Sequence, residues 1–211
     1  MFSTAIDIQS RQILKKIGKI PLISRFYLTG TACTALHIRH MEATTLEFFT
    51  EADYFEQEPF IGQLHHTGKI KVQKQSPGSL SVRIDNTPVL FTTHPFPLLE
   101  PAKKLSDVRI SGLLDCALAT IIENSRQGTI QNFIDLYFIL KHGSHLRELL
   151  WRIPEKYYTY TYSTYQLLRS LVWFEDADKD IPLVLKQKLD WPHAKAYFRK
   201  EVKSLMQDYF E

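Results

Sequence analysis

The chain has 211 residues, 44% of them hydrophobic and 12% aromatic, enough apolar material for one compact domain or a core with a helical appendage. Its net charge of +3 requires no polyanionic partner. No run of about 18 uncharged apolar residues is present to span a membrane, and the N-terminus, with Asp7 in its first turns, does not read as a secretion signal.

The expected setting is therefore cytoplasmic. Cys33 and Cys116 sit in apolar helical stretches, so they are expected as packed, reduced thiols with no metal pattern between them. From Ile6 to Ile20, Ile6, Ile13, Leu14 and Ile17 recur at helical spacing opposite Lys15, Lys16 and Lys19, an amphipathic helix ending near Gly18 and Pro21. Phe26 to Leu28 predicts a short buried strand, Thr29-Gly30-Thr31 a tight turn, and Ala32 to His40 a helix. Thr44 to Phe49 returns as a strand whose period-two alternation puts Thr45 and Glu47 on one face and Leu46 and Phe48 on the other. Asp53 to His66 predicts a helix interrupted at Pro59, and Lys69 to Lys74 alternates as a strand. Pro77-Gly78 and Asp85-Asn86 are turn signals flanking Leu80, Val82 and Ile84, and Val89 to Thr92 completes a meander, so the sheet is expected to be partly antiparallel. Residues 94–101 carry too many prolines for regular structure. Leu113 to Ser125 and Thr129 to Lys141 read as two helices separated at Gln127-Gly128.

The stretch Phe26 to Thr50, FYLTGTACTALHIRHMEATTLEFFT, resembles the AbiEii-type nucleotidyltransferase toxins of abortive-infection and toxin-antitoxin systems, whose pattern is roughly FYLxGGTALALxLxHRxSxDxDFF. Gly30, Ala35, Leu36, His40, Phe48 and Phe49 match it. His94 to Pro101 resembles the family's YPYPLLEP link out of the sheet. Asp115, Ala117, Gly128, Phe133, Ile134, Asp135, Leu136 and Tyr137 match its DIAAMKLxAIxxRGxxKDFIDLY segment. Leu167 to Asp178, Pro182 and Asp190-Trp191 resemble its tail, so the likeness runs over nearly the whole chain.

What the resemblance implies is a mixed α/β (α+β) fold, with a nucleotidyltransferase-like core over residues 1–101 and a helical C-terminal region over 102–211 packed on it. The glycine pair of the family cradles nucleotide phosphate, because backbone N–H groups reach an anion only where no side chain intervenes, and its two aspartates hold divalent metals. On this chain the nucleotide-binding positions fall on Gly30, Thr31, Ala32, Thr45, Thr120 and Asn132, and Glu47 is the catalytic and metal-binding candidate. Thr31 replaces the second glycine, Thr45 and Glu47 the two aspartates, Thr120 the lysine, and Gln131-Asn132 the KD pair. The resemblance also implies that the two helices bring Thr120 and Asn132 toward the cleft of Gly30. Magnesium is the implied cofactor. It needs carboxylate oxygens, and a neutral threonine removes charge where the ion requires it. Losing the lysine and a candidate acid or base points the same way.

The expected function is a nucleotidyltransferase-like protein with an eroded metal and nucleotide site that keeps a role in binding a nucleotide or a partner, so its standing as an enzyme is left open. One alternative is an active toxin that transfers a nucleotide from a nucleoside triphosphate to RNA or protein, and another is a structural interaction protein. The implied partners are an antitoxin-like protein, a nucleoside triphosphate and RNA, with no membrane. Structural readings stand beside these: Gly30-Thr31-Ala32 as an ordinary strand-to-helix turn, and Glu47 as an exposed strand residue in a salt bridge. His37 and His40, and His65-His66, lack a metalloprotease arrangement and read as packing or surface residues. The tyrosines from Tyr157 to Tyr165 read as packing, and Glu175, Asp176, Asp178 and Asp180 as a solvated segment.

Overall fold

The Asp7 carboxylate accepts from the N–H groups of Gln9 and Ser10 and caps α1 (Ile8–Ile17), which begins two residues later than the apolar spacing suggested. The computed structural model describes residues 5–180, 183 and 185–210, the last by its backbone alone. Pro182, part of the tail resemblance, lies outside the described residues. The chain divides into two compact units after Gly112.

In the first unit, β1 (Tyr27–Thr29) runs directly into α2 (Gly30–Ile38), followed by β2 (Leu46–Thr50) and α3 (Gln57–Leu64). The meander follows as β3 (Ile70–Ser76), β4 (Ser79–Ile84) and β5 (Thr87–Thr93), and a hairpin of β6 (Lys103–Leu105) and β7 (Val108–Ile110) closes the unit. Among the described residues these seven strands form one sheet in the order β3-β4-β5-β2-β1-β7-β6. It is mixed: β1 lies parallel to β7 and β2 parallel to β5, and the other neighbours are antiparallel.

Three expectations shift. β2 starts at Leu46 rather than Thr44, because residues 43 and 44 are bound to the N-terminal segment: Asp7 N–H donates to the Ala43 carbonyl and the Ser10 hydroxyl to that of Thr44. The helix expected from Asp53 starts at Gln57 and is not interrupted at Pro59, which falls in its first turn, where a missing N–H costs no helix bond. The first unit also extends beyond residue 101, because β6 and β7 add to its sheet.

One face of the sheet buries an aromatic cluster. Phe48 stacks on Phe91 at 5.2 Å, Phe26 stacks on Phe60 at 5.2 Å, and Phe60 meets Phe91 edge-on at 4.6 Å. Leu28, Leu46, Leu80 and Ile84 are fully buried with them.

The second unit is helical: α4 (Leu113–Arg126), α5 (Ile130–Lys141), α6 (Leu146–Lys156), α7 (Thr164–Ser170) and α8 (Trp191–Phe210). Phe133 of α5 lies among Phe174, Trp191 and Phe198, with ring centroids 5.0 to 5.6 Å away. Acidic residues expected as a solvated run are put to structural use. Asp180 accepts from the Ile130 N–H at the start of α5, and Asp178 accepts from Trp191 and Lys195, the Lys195 bond most of all holding its carboxyl below its ordinary range. Of the tyrosines from Tyr157 to Tyr165, only Tyr157 is fully buried; Tyr158, Tyr160 and Tyr165 are at the surface, which corrects the packing reading for those three. Both cysteines are free and buried, as expected.

Lys156 at the end of α6 donates to Asp115 Oδ1 at 2.7 Å, and the two side chains are 1% and 2% exposed. Neither charge would tolerate this burial alone. Replacing Lys156 with Met should therefore cost about 3 to 5 kcal/mol, measured by urea denaturation, because it strands a buried carboxylate. The double variant Asp115→Asn/Lys156→Met should recover much of the loss.

Candidate functional site at the Gly30 turn

β1 hands over to α2 with no loop, so residue 30 must take a backbone conformation that only glycine adopts cheaply, and Gly30 has φ +63°. The register pairs Thr29 with Glu47 on the neighbouring strand. Glu47 therefore projects beside the turn, and its carboxylate packs against the Gly30 α-carbon so closely that a Cβ there would lie 2.9 Å from the Glu47 carboxyl carbon. Glycine is demanded by φ, and the absence of a side chain lets the flexible Glu47 carboxylate lie against the turn.

This position is also where a negative charge is favoured. The first N–H groups of α2 have no partner one turn back, and the helix dipole places partial positive charge at that end. The Thr29 side chain makes no capping hydrogen bond, and the carboxylate of Glu47 lies at this helix end instead. Ala32 is buried and Thr31 half-buried in the first turn. Thr45 is half-exposed, as Glu47 is, and lies just before β2 rather than on it.

The same end of the sheet holds a second arrangement of this kind that the sequence reading missed. β7 runs parallel to β1 with Leu28 opposite Ile110, and the Ser111 N–H extends the pairing to the Leu28 carbonyl at 3.0 Å. At Gly112, a Cβ would lie 2.9 Å from the carboxyl carbon of Glu100. Between the two glycines, α2 is tied to β7: His37 Nε2 is 2.9 Å from the Ser111 carbonyl oxygen, so this nitrogen carries the proton, and Cys33 Sγ donates to the same oxygen at 3.2 Å. His40 is fully buried, and His65 and His66 are exposed, consistent with packing and surface roles.

The other positions singled out by sequence belong to the second unit. Thr120 is 6% exposed and its hydroxyl donates to the Cys116 carbonyl of its own helix at 2.9 Å, so it is spent inside α4. Asn132 is half-buried in the first turn of α5, where its N–H donates to the capping Thr129 hydroxyl. One turn on from Thr120, burial pushes the Glu123 carboxyl up to about 7 against the opposing pull of Arg126, with Asp135 adding to the rise. Among the described residues, no three His, Cys, Asp or Glu side chains gather as a metal site would need.

A mixed sheet whose first strand turns through glycine into a helix, with an acid on the next strand, is the frame of a nucleotidyltransferase fold, and the solved structures agree. The chain is similar to MenT4, a nucleotidyltransferase toxin from Mycobacterium tuberculosis H37Rv, with a TM-score of 0.51 and 13% identity over 93% of this chain and 83% of that one. It is similar also to a provisionally assigned nucleotidyltransferase of Helicobacter pylori, with a TM-score of 0.51 and 14% identity over 96% and 95% of the two chains. This is a protein of nucleotidyltransferase fold. By sequence it is 26% identical over 208 residues to an uncharacterized protein of Aquifex aeolicus (strain VF5), which spans 95% of this chain and 97% of that one. No family model matches the sequence.

The left-handed turn has a measurable consequence. Gly30→Ala should destabilise the protein by at least the roughly 1 to 2 kcal/mol that a left-handed residue costs. In the double variant Gly30→Ala/Glu47→Ala the backbone cost should remain, and a denaturant-based double-mutant cycle reads what the Glu47 contact adds as a coupling energy.

Proposed function

We propose that this chain is a degenerate relative of the AbiEii-type toxins, in which the metal and nucleotide site has been given up for transfer while a role in binding an antitoxin-like partner or a nucleotide remains. The observation that carries this reading is the place of the Glu47 carboxylate, packed on Gly30 at the N-terminus of α2. There it fills the approach that a phosphate would need to reach the backbone N–H groups, and it brings a negative charge that repels one.

The residues present do not fit a pair of magnesium ions. Magnesium takes hard anionic oxygens in near-octahedral geometry, and Thr45 offers a neutral hydroxyl where the related toxins have an aspartate. Glu47 alone supplies charge, and the buried Thr120 hydroxyl carries none to a triphosphate. Each missing group is one that stabilises charge on the transferring phosphoryl group, so rate losses of several orders of magnitude are expected.

The test uses the unmodified protein with labelled nucleoside triphosphates, magnesium or manganese, and total RNA or protein as acceptor. Little or no label should be incorporated. Robust labelling that disappears in Glu47→Ala would overturn the proposal and establish an active transferase.

A further inference from the structure

We infer that the free edge of the sheet at β3 is a docking site for an acidic, extended segment of a partner protein, which adds there as a further strand. The inference gives the partner-binding role proposed above a surface and a chemistry, and it rests on that role alone; the state of the Gly30 site plays no part in it.

Among the described residues β3 pairs with β4 on one side and with no strand on the other, and residues 71–75 are all exposed. An edge of seven residues presents a row of backbone N–H and C=O groups of the kind an added strand satisfies. The opposite edge of the sheet, β6, has three residues, too few to hold a partner by its backbone.

Charge sets what this edge selects. The register of β3 on β4 steps by one residue between Val72 and Lys74, so Lys71 lies opposite Arg83 and Lys74 opposite Ser81. Arg83 and Ser81 are two apart on β4 and share a face, so the step gathers Lys71 and Lys74 on that face beside Arg83; an unbroken strand would have put the two lysines on opposite faces. Lys71 directly across from Arg83 is an unfavourable pair. β3, β4 and β5 contain no Asp or Glu to relieve it, and neither lysine has an ion-pair partner among the described residues. The acids nearby are otherwise engaged, Asp85 with the Lys69 N–H and Glu58 with the Gln75 amide.

On the other face Ile70 and Val72 lie opposite the buried Ile84 and Val82, yet Val72 is still 41% exposed. A strand alternating acidic with apolar residues answers both faces at once, with carboxylates beside Lys71 and Lys74 and apolar side chains beside Ile70 and Val72. A second copy of this chain pairing through the same edge would set lysine against lysine, so the charges that admit an acidic strand exclude self-pairing. A nucleic acid would meet the charge, but β3 and β4 carry no aromatic side chain on which a base could stack.

The experiment titrates the full chain into a fluorescein-labelled peptide of about ten residues that alternates glutamate with valine, at neutral pH, and follows fluorescence anisotropy and backbone amide exchange. One peptide should bind per chain below about 1 mM, and the amides of residues 70–76 should exchange more slowly. A peptide with lysine for glutamate should not bind, nor should an acidic peptide with alternate valines replaced by proline, which keeps the charge and loses the N–H groups. Lys71→Glu/Lys74→Glu should weaken the acidic peptide by roughly tenfold or more and bind the lysine peptide instead. It should leave the protein as stable as before or more so, because Lys71 no longer opposes Arg83. No binding of the acidic peptide, no added protection at residues 70–76, or equal binding of the proline peptide would each overturn the inference. So would an oligouridylate that protects the same amides as well as the peptide does, or dimerisation of the free protein through β3. Nucleotide labelling reports on the Gly30 site and peptide binding on β3, so either reading can fail while the other stands.

Discussion

The contact between the Glu47 carboxylate and the Gly30 α-carbon is the constraint on which the first unit turns. It joins three features that would otherwise be independent: a strand that enters a helix without a loop, an antiparallel register that sets residue 47 opposite residue 29, and a glycine in the left-handed region. Shifting the register by one residue would turn Glu47 into the aromatic core and Phe48 out of it. The stacked Phe48 and Phe91 oppose such a slip, and so the apolar face of the sheet fixes the geometry of its polar end. The same logic repeats at Gly112, where Glu100 takes the place beside a glycine at the end of the parallel strand.

An acid side chain at a helix N-terminus is stabilising in its own right. An acid at residue 47 can therefore persist for a structural reason alone. Glu47 has one more methylene than an aspartate would, which gives it the reach to lie on the turn. The second unit repeats the pattern of acids turned to structural use: Asp115 is neutralised by Lys156 in the core, Asp178 holds Trp191 and Lys195, and Asp180 accepts from the first N–H of α5.

Much of the first unit was legible in the sequence because its signals are local. The glycine break at residue 30 and the alternation of Leu80, Val82 and Ile84 report backbone needs directly. The β6–β7 hairpin was not, since strands of three residues are too short to display a period, and its sharp turn uses Ser106 at φ +54° in place of a glycine. In α8, Ala194, Phe198, Val202 and Leu205 are buried and recur at helical spacing, but charged and tyrosine residues between them mask the stripe. The candidate site was legible as a set of residue types. Its side-chain contacts were not, because the placing of Glu47 on Gly30 follows from register and rotamer.

The most direct measurement is a crystal structure of the protein soaked with magnesium and a non-hydrolysable nucleoside triphosphate analogue. The account predicts that the Glu47 carboxylate stays against Gly30, with neither metal nor phosphate density at the start of α2. A magnesium ion held by Glu47, with phosphate oxygens on the backbone N–H groups of residues 30–32, would contradict it.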